Sequence, residues 1–396
     1  MSNLPDPSSD HGAAAKDGLP PEPDAGPAWE GPHTQGGPGL RPYGPPSGPP
    51  QPTIPDGYPA AIPTAPGMAQ DGNLPPLPLP SPPGAIGPDG PGSVRIGLWG
   101  APRSGKTTFL SSLPIAAIQH NRHGKGNWVI SGMTKEAIEF LNRGMRLLAV
   151  DRGFPGATSA TAGMSWAFQG EEPRKLAGTR QVGFVLDIHD VSGEVFRPEH
   201  PSHEAIVDQL AAANGLVYLF DPLLDREHAT QSLDFFYATL NAITSRVRDS
   251  RGMINGRLPH HVAVCVAKFD DPLLFRPSVE ARWVTQDGVG ARIPRVPAEA
   301  AAGYFTWICD TFRGSSASLV RDALNAYFVP DRISYYATSA IGFRLNADGI
   351  FDYRLYANVE QVGGKPRIAT SPQPINVLEP LVDLERRIRS RKIKLR

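Results

Sequence analysis

The chain has 396 residues, and its 39 Lys and Arg balance 39 Asp and Glu to a formal net charge of zero. Two cysteines exclude a disulfide scaffold, and no apolar run approaches the ~20 residues that a bilayer-spanning helix needs. The zero is a sum of unlike parts: residues 1–92 carry two bases against nine acids, and the remainder carries 37 bases against 30 acids.

Residues 1–92 hold 26 of the 43 prolines and 16 of the 41 glycines, with no Val, Phe or Cys. Such a segment buries too little apolar area to offset its ordering entropy, so a disordered tail with polyproline II character is expected. Met1-Ser-Asn-Leu-Pro5 opens it without an apolar core, so no leader is expected, and the cytoplasm is the expected compartment. Leu74-Pro-Pro-Leu-Pro-Leu-Pro-Ser-Pro-Pro83 has the P-x-x-P spacing that SH3 or WW folds dock, although a stiff spacer is the plainer reading. Deleting residues 1–92 is therefore expected to leave nucleotide affinity and thermal midpoint nearly unchanged. Calorimetry on the shortened chain checks this, and a midpoint lower by many degrees would show that the segment contributes to the core.

The first strand is expected at 94–99, followed directly by Gly100-Ala-Pro-Arg-Ser-Gly-Lys-Thr107 and a helix over 106–119. The pattern G-x-x-x-x-G-K-[ST] between strand and helix specifies a phosphate-binding loop. Gly100 and Gly105 let the backbone curl, so that successive N–H groups, from Arg103 and Ser104 through Thr108, point at a phosphate chain. Lys106 brings a point charge toward the β and γ phosphates, and the Thr107 hydroxyl can ligate Mg²⁺. Arg103 is a candidate for neutralising transition-state charge, with a solvent-facing role as the alternative.

Residues 126–153 add a short strand and a helix (134–149) before a small-residue loop, Phe154-Pro-Gly-Ala-Thr158-Ser-Ala-Thr161. A first switch needs a Thr that closes over Mg²⁺ and the γ-phosphate; Thr158 is preferred and Thr161 is the alternative. Strands follow at 164–169 and 181–188, the second leading into Asp190-Val-Ser-Gly193-Glu194. Asp190 can hold Mg²⁺ through water and the Gly193 amide can meet a γ-phosphate. Asp187, on the strand itself, is a rival metal partner whose expected role is structural.

A helix at 203–213, a strand at 215–220 and a helix at 229–247 lead to the strand 261–267, which ends in Lys268-Phe-Asp270. The Lys268 stem can cover a purine ring, and the Asp270 carboxylate can accept from guanine N1–H and N2–H₂, a donor pair that adenine lacks. A helix over 298–327 precedes the strand 333–338 and Thr338-Ser339-Ala340, whose backbone N–H groups can meet guanine O6.

In this order the segments resemble those of the Ras-like, translation-factor-related P-loop GTPases over about residues 93–390. Leu186-Asp-Ile-His-Asp-Val-Ser-Gly-Glu194 is similar to the family's Leu-Asp-Ile-x-Asp-Thr-Ala-Gly-Gln, and Ala267-Lys268-Phe269-Asp270 to its Asn-Lys-x-Asp. The resemblance implies a three-layer α/β fold, a mostly parallel sheet with helices on both faces, that binds GTP, GDP and Mg²⁺ and signals to a protein effector or regulator. The long inserts are most like those of bacterial members that act beside partner proteins. Two departures matter. Ala267 stands where the family's Asn ties the base pocket to the phosphate loop, and Glu194 stands where a Gln orients the attacking water. A carboxylate beside a γ-phosphate is repelled. An ATP-using P-loop enzyme and a scaffold with negligible hydrolysis are the two alternatives.

Further inserts are expected at 271–331, around Asp287-Gly-Val-Gly290, and at 344–373, where Gly363-Gly-Lys-Pro366 marks a hairpin. A last helix over 375–389 runs into Arg386–Arg396, with seven bases in eleven residues. That end can touch anionic lipid or nucleic acid, and a solvated helix end is the equal alternative. His200 and His203 are poor metal ligands, and Cys265 and Cys309 read as buried free thiols.

Overall fold

The computed structural model describes residues 94–122, 126–156, 163–173, 178–189, 203–224, 230–250, 252–288, 290–312 and 315–394, all within the unit Pro78–Arg396. The elements run β1 (Arg95–Gly100), α1 (Lys106–Arg122), β2 (Asn127–Gly132), α2 (Lys135–Ala149), β3 (Gly163–Pro173), β4 (Thr179–His189), α3 (His203–Ala212) and β5 (Gly215–Phe220). There follow α4 (Gln231–Asp249), β6 (His261–Val266), α5 (Pro272–Glu280), the two-residue strands β7 (Thr285–Gln286) and β8 (Pro294–Arg295), and α6 (Ala301–Trp307). A π turn at Ile308–Phe312, α7 (Ser315–Tyr327), β9 (Ile333–Ala337), β10 (Val359–Val362), β11 (Lys365–Ile368) and α8 (Glu379–Lys394) complete the chain.

Seven strands form one sheet in the order β2-β3-β4-β1-β5-β6-β9. The five from β4 to β9 are parallel, and β2 and β3 extend the sheet antiparallel. Period-two alternation assigns each strand's side chains to one of two cores. Leu216, Tyr218 and Phe220 of β5 and Val262, Val264 and Val266 of β6 pack with α3, α4, α6 and α7. Val217, Leu219, Ala263 and Cys265 face the other way, into the core of α1, α2 and α8. The fold is therefore a three-layer α/β sandwich with a mostly parallel sheet, the architecture of P-loop nucleotide-binding domains.

Trp99, the last residue but one of β1, is fully buried, with its ring 4.6 Å from Tyr218 and 5.3 Å from Phe236. It joins β1, β5 and α4 one residue before the phosphate loop begins. Trp99→Ala is expected to cost about 3–5 kcal/mol, read by denaturant unfolding. A cost below ~1 kcal/mol would show that this stack does not hold the loop's base.

The insert before the first switch builds the sheet edge. Thr134 caps α2, its hydroxyl accepting from the Ala137 N–H at 3.2 Å, and Gly144 lets α2 approach Ser111 of α1, where a Cβ would lie 2.5 Å from Oγ. The hairpin β10–β11 forms as expected, with Gly363 and Gly364 both at positive φ. The Gly-rich turn near 287–290 is flanked by the pairing of β7 with β8.

Two expected helices are corrected. The single helix over 298–327 is interrupted: α6 closes in the π turn at Ile308–Phe312, and α7 starts separately at Ser315. The last helix begins at Glu379, because Ile375 exchanges backbone bonds with Ser339 and Asn376, at φ +48°, donates its amide to Ala337 O. In addition, α5 forms within the 271–331 insert. Asp271 caps it by accepting from Leu273 N at 2.9 Å, and Pro272 occupies its first turn.

Candidate nucleotide site

All five parallel strands end at one edge of the sheet, and β1 lies where the chain order reverses, between β4 and β5. Open α/β sheets bind ligands at such a point. The phosphate loop leaves β1 there. Arg103, exposed, sits at φ +64° and Gly105 at φ +90°. These left-handed positions curl the loop back onto itself at the α1 N-terminus, and between them the Ser104 N–H closes a turn onto Ala101 O at 3.2 Å. Gly100 is required for a second reason: a Cβ there would lie 2.8 Å from Leu219 O and 2.9 Å from Ser104 Oγ. Lys106 is buried, and its Nζ donates to Gly100 O at 2.8 Å and Ala101 O at 2.9 Å, with the Phe235 ring 6.0 Å away. A concave backbone cradle with a lysine folded over it fits a polyphosphate. Thr107 follows, half-buried, at the place for a Mg²⁺ ligand.

Thr158, Thr161, Asp190, Gly193 and Glu194 lie outside the described residues. Asp187 has its expected structural role: it accepts from Arg95 Nε at 2.7 Å, Arg95 Nη2 at 3.0 Å and Ser165 Oγ at 2.7 Å. No cluster of three or more His, Cys, Asp or Glu suited to a metal occurs among the described residues.

On the other side of β5, the base segment follows β6. Ala267 N donates to Phe220 O at 2.8 Å, Thr338 N to Val266 O at 2.8 Å, and Phe269 N to Thr338 O at 3.0 Å. These bonds stitch the segment to β5 and to the end of β9. Phe269 is fully buried, with the rings of Phe275, Tyr304 and Phe343 within 5.7–6.1 Å. That packing leaves Asp270 little freedom. The Ser339 hydroxyl donates to Asp270 Oδ1 and accepts from Gly342 N at 2.7 Å, so the two base motifs meet through one hydroxyl. Ala340 follows, half-buried. Burial pushes the Asp270 carboxyl up to about 6, more than the Ser339 bond and the flanking backbone draw it down.

Lys268 takes φ +59°, and its Nζ lies 2.7 Å from Asp221 Oδ2. Asp221 was not among the residues expected at the site, although an Asp directly after the buried run Gly215–Phe220 signals it. Ala267 is buried and brings no polar group. Ser104 Oγ is buried with no partner among the described residues, and the buried Thr338 hydroxyl has only the Cys265 sulfur, a weak acceptor, beside it.

The other candidates fall away from this edge. A cavity of about 320 Å³ between α1, β2 and α2 is lined by Pro114, Ile130, Ile138, Leu141 and Met145 among others, with no charged group to meet a phosphate. In the basic C-terminal run, Arg386 pairs with Asp383, Arg387 donates to Asp331 O at 2.9 Å, and Arg389 binds Glu385 and Gly183 O. No described helix is long and apolar enough to cross a membrane.

No family model matches the chain, and neither does any curated protein. Among solved structures, it is similar to a crystal structure of sup35 complexed with GDP, at 12% identity and a TM-score of 0.27. That match covers 65% of this chain and 41% of the other, so the chain spans less than half of that protein's length.

Proposed function

We propose that the chain is a guanine-nucleotide switch of the Ras-like, translation-factor-related kind, which binds GTP with Mg²⁺, hydrolyses it and presents the difference to a protein partner. One observation carries the reading: a lysine-capped phosphate cradle and a buried carboxylate suited to guanine share the carboxyl edge of the sheet, on either side of β5. Lys106 and the loop amides hold the phosphates. Lys268 and Ser339 position the base reader Asp270. Thr107, with Asp190 and Thr158, is the set that would hold Mg²⁺, which supplies charge neutralisation between the phosphates when bound. In this reading Arg103 would meet charge developing on the phosphates, and Glu194 would accept a bond from the attacking water. Both cysteines are free, buried and raised to about 12 by burial, inert thiols that suit a reducing cytosol.

Titration with labelled GTP and ATP, with and without Mg²⁺, tests the proposal. Mg²⁺-dependent binding that prefers GTP at least tenfold is expected. Equal affinity for ATP would overturn the guanine reading in favour of a general P-loop NTPase, the alternative that Ala267 favours. Phosphate release at no more than the background rate would replace the switch with a scaffold.

The Asp270 carboxyl also sets a pH dependence. Its folded value of about 6 lies above the ordinary ~3.9, so the stability it contributes is fully present below about 4 and is lost as the pH rises through about 6. Guanine needs the ionised form to accept both of its donors. GDP affinity is therefore expected to fall up to tenfold per pH unit below about 6, read by calorimetry between pH 5 and 8. Asp270→Asn removes this component and leaves the titration of the phosphates as the control. An identical pH profile in the variant would sink the assignment.

A further inference from the structure

We infer that Asp221 is a specificity-positioning residue, which takes over from β5 the tether that Ala267 cannot make. The inference rests on the guanine-nucleotide reading of the site.

Strand β5 lies between β1 and β6 in register, with Leu219 paired to both Gly100 and Cys265, and Phe220 paired to Val266. Asp221 is the next residue. It therefore stands at the carboxyl edge between the start of the phosphate loop and Ala267-Lys268. A side chain that ties the Ala267-Lys268 segment to the end of β5 belongs at this place, and Ala267, with a single methyl group, supplies none.

The Asp221 side chain is fully buried. Its Oδ1 accepts from Leu223 N at 2.9 Å, closing the turn that leaves β5. A turn needs only that one oxygen, which Asn or Ser would supply equally well. The second oxygen, Oδ2, goes to Lys268 Nζ at 2.7 Å. A buried carboxylate is costly unless a cation meets it, so charge draws the half-exposed lysine head to Asp221, although the contact is not aligned as a hydrogen bond. Lys268 also holds a left-handed backbone at φ +59°, which a residue with a Cβ adopts at a cost. Anchoring both ends of its side chain stretches the methylene stem between the base segment and β5, as a wall for the purine ring. It also fixes the backbone that aims Asp270, two residues on. Asp221 acts through Lys268 and touches neither base nor phosphate.

Asp221→Ala and Asp221→Asn in the full chain, titrated with labelled GDP in competition with GTP and ATP, test this. Asn keeps the turn-closing oxygen and loses only the charge, so it remains informative if Ala fails to fold. Removing an acid near the loop eases phosphate binding for both nucleotides alike, which makes the GTP-to-ATP preference the decisive readout. That preference is expected to drop about tenfold in Asp221→Asn. Ala267→Asn added to Asp221→Ala is expected to restore most of it. A merely structural Asp221 would lower the thermal midpoint and leave the preference at its wild-type value, which overturns the inference. A lost preference that Ala267→Asn leaves uncorrected overturns the exchange of tethers. If the wild type itself binds no guanine nucleotide, the proposed function falls and this inference with it. Wild-type selectivity that persists in both variants refutes the Asp221 role alone.

Discussion

Lys106→Ala is expected to weaken GTP binding by two to three orders of magnitude, about 3–4 kcal/mol, while the domain stays folded. The lysine ammonium donates to Gly100 O and Ala101 O, so it is already held over the cradle that its charge serves. A nucleotide's phosphates present anionic acceptors in place of those carbonyls, and charge-assisted bonds in a recess shielded from water are the stronger kind. Alanine forfeits that exchange. It also leaves two loop carbonyls without their donor, so a fall in thermal midpoint of a few degrees should accompany the loss. Titration with labelled GTP, beside a melting curve, separates the two effects. Unchanged affinity in a folded variant would remove the phosphate-loop assignment, and with it the basis for every other role proposed at this edge.

Much of this edge was legible in the sequence, because its chemistry is local. The spacing of Gly100, Gly105, Lys106 and Thr107 specifies backbone conformation and charge within eight residues, and the positive φ of Gly105 follows from it. Buried strands such as Gly215–Phe220 and His261–Val266 were equally plain, since continuous apolar runs bounded by polar turns have few alternative structures. The failures have non-local causes. Helix propensity cannot show that α6 closes in a π turn before α7 begins, nor that Asn376 is committed to Ala337 O before α8 can begin. Asp221 was missed for a related reason. An Asp after a strand suggests a turn, and only the adjacency of β5 to β6 brings it to Lys268.

Ala267, where the GTPases that the sequence resembles carry Asn, looks, in sequence, like a lost function at a single position. In the structure the consequences divide among neighbours. Backbone bonds from Ala267 to Phe220 and from Thr338 to Val266 hold the base segment in register without any side chain at 267. Elsewhere on this edge, Ser104 Oγ is buried and unpartnered among the described residues. An unpaired buried hydroxyl costs about 1–3 kcal/mol, a modest sum beside a domain's total burial. With those backbone bonds in place the fold tolerates Ala267, and selectivity is the property at stake.

Asp270→Asn is expected to exchange guanine for xanthine selectivity, with a combined swing of about 2–4 kcal/mol between GTP and xanthosine triphosphate. In the proposed reading the carboxylate accepts from guanine N1–H and N2–H₂, and xanthine presents a carbonyl where guanine has the second donor. A carboxylate repels that oxygen, whereas an asparagine amide donates to it. The Ser339 hydroxyl donates to Asp270 Oδ1, so the Asn variant can keep its oxygen on Ser339 and turn its NH₂ toward the base. The same substitution bears on stability. Because burial lifts the Asp270 carboxyl to about 6, the ionised group opposes folding above that pH. At pH 7.5 without nucleotide, Asp270→Asn is therefore expected to stabilise the domain by about 1–2 kcal/mol, less than the full shift because the bond from Ser339 is charge-assisted only in the wild type. Added GDP should reverse the order of the melting curves, since only the wild type pairs its carboxylate with guanine. Competition binding with GTP, ATP and xanthosine triphosphate, set beside those curves, reads both effects. A variant that prefers GTP as strongly as the wild type does would place the guanine reader elsewhere on this edge.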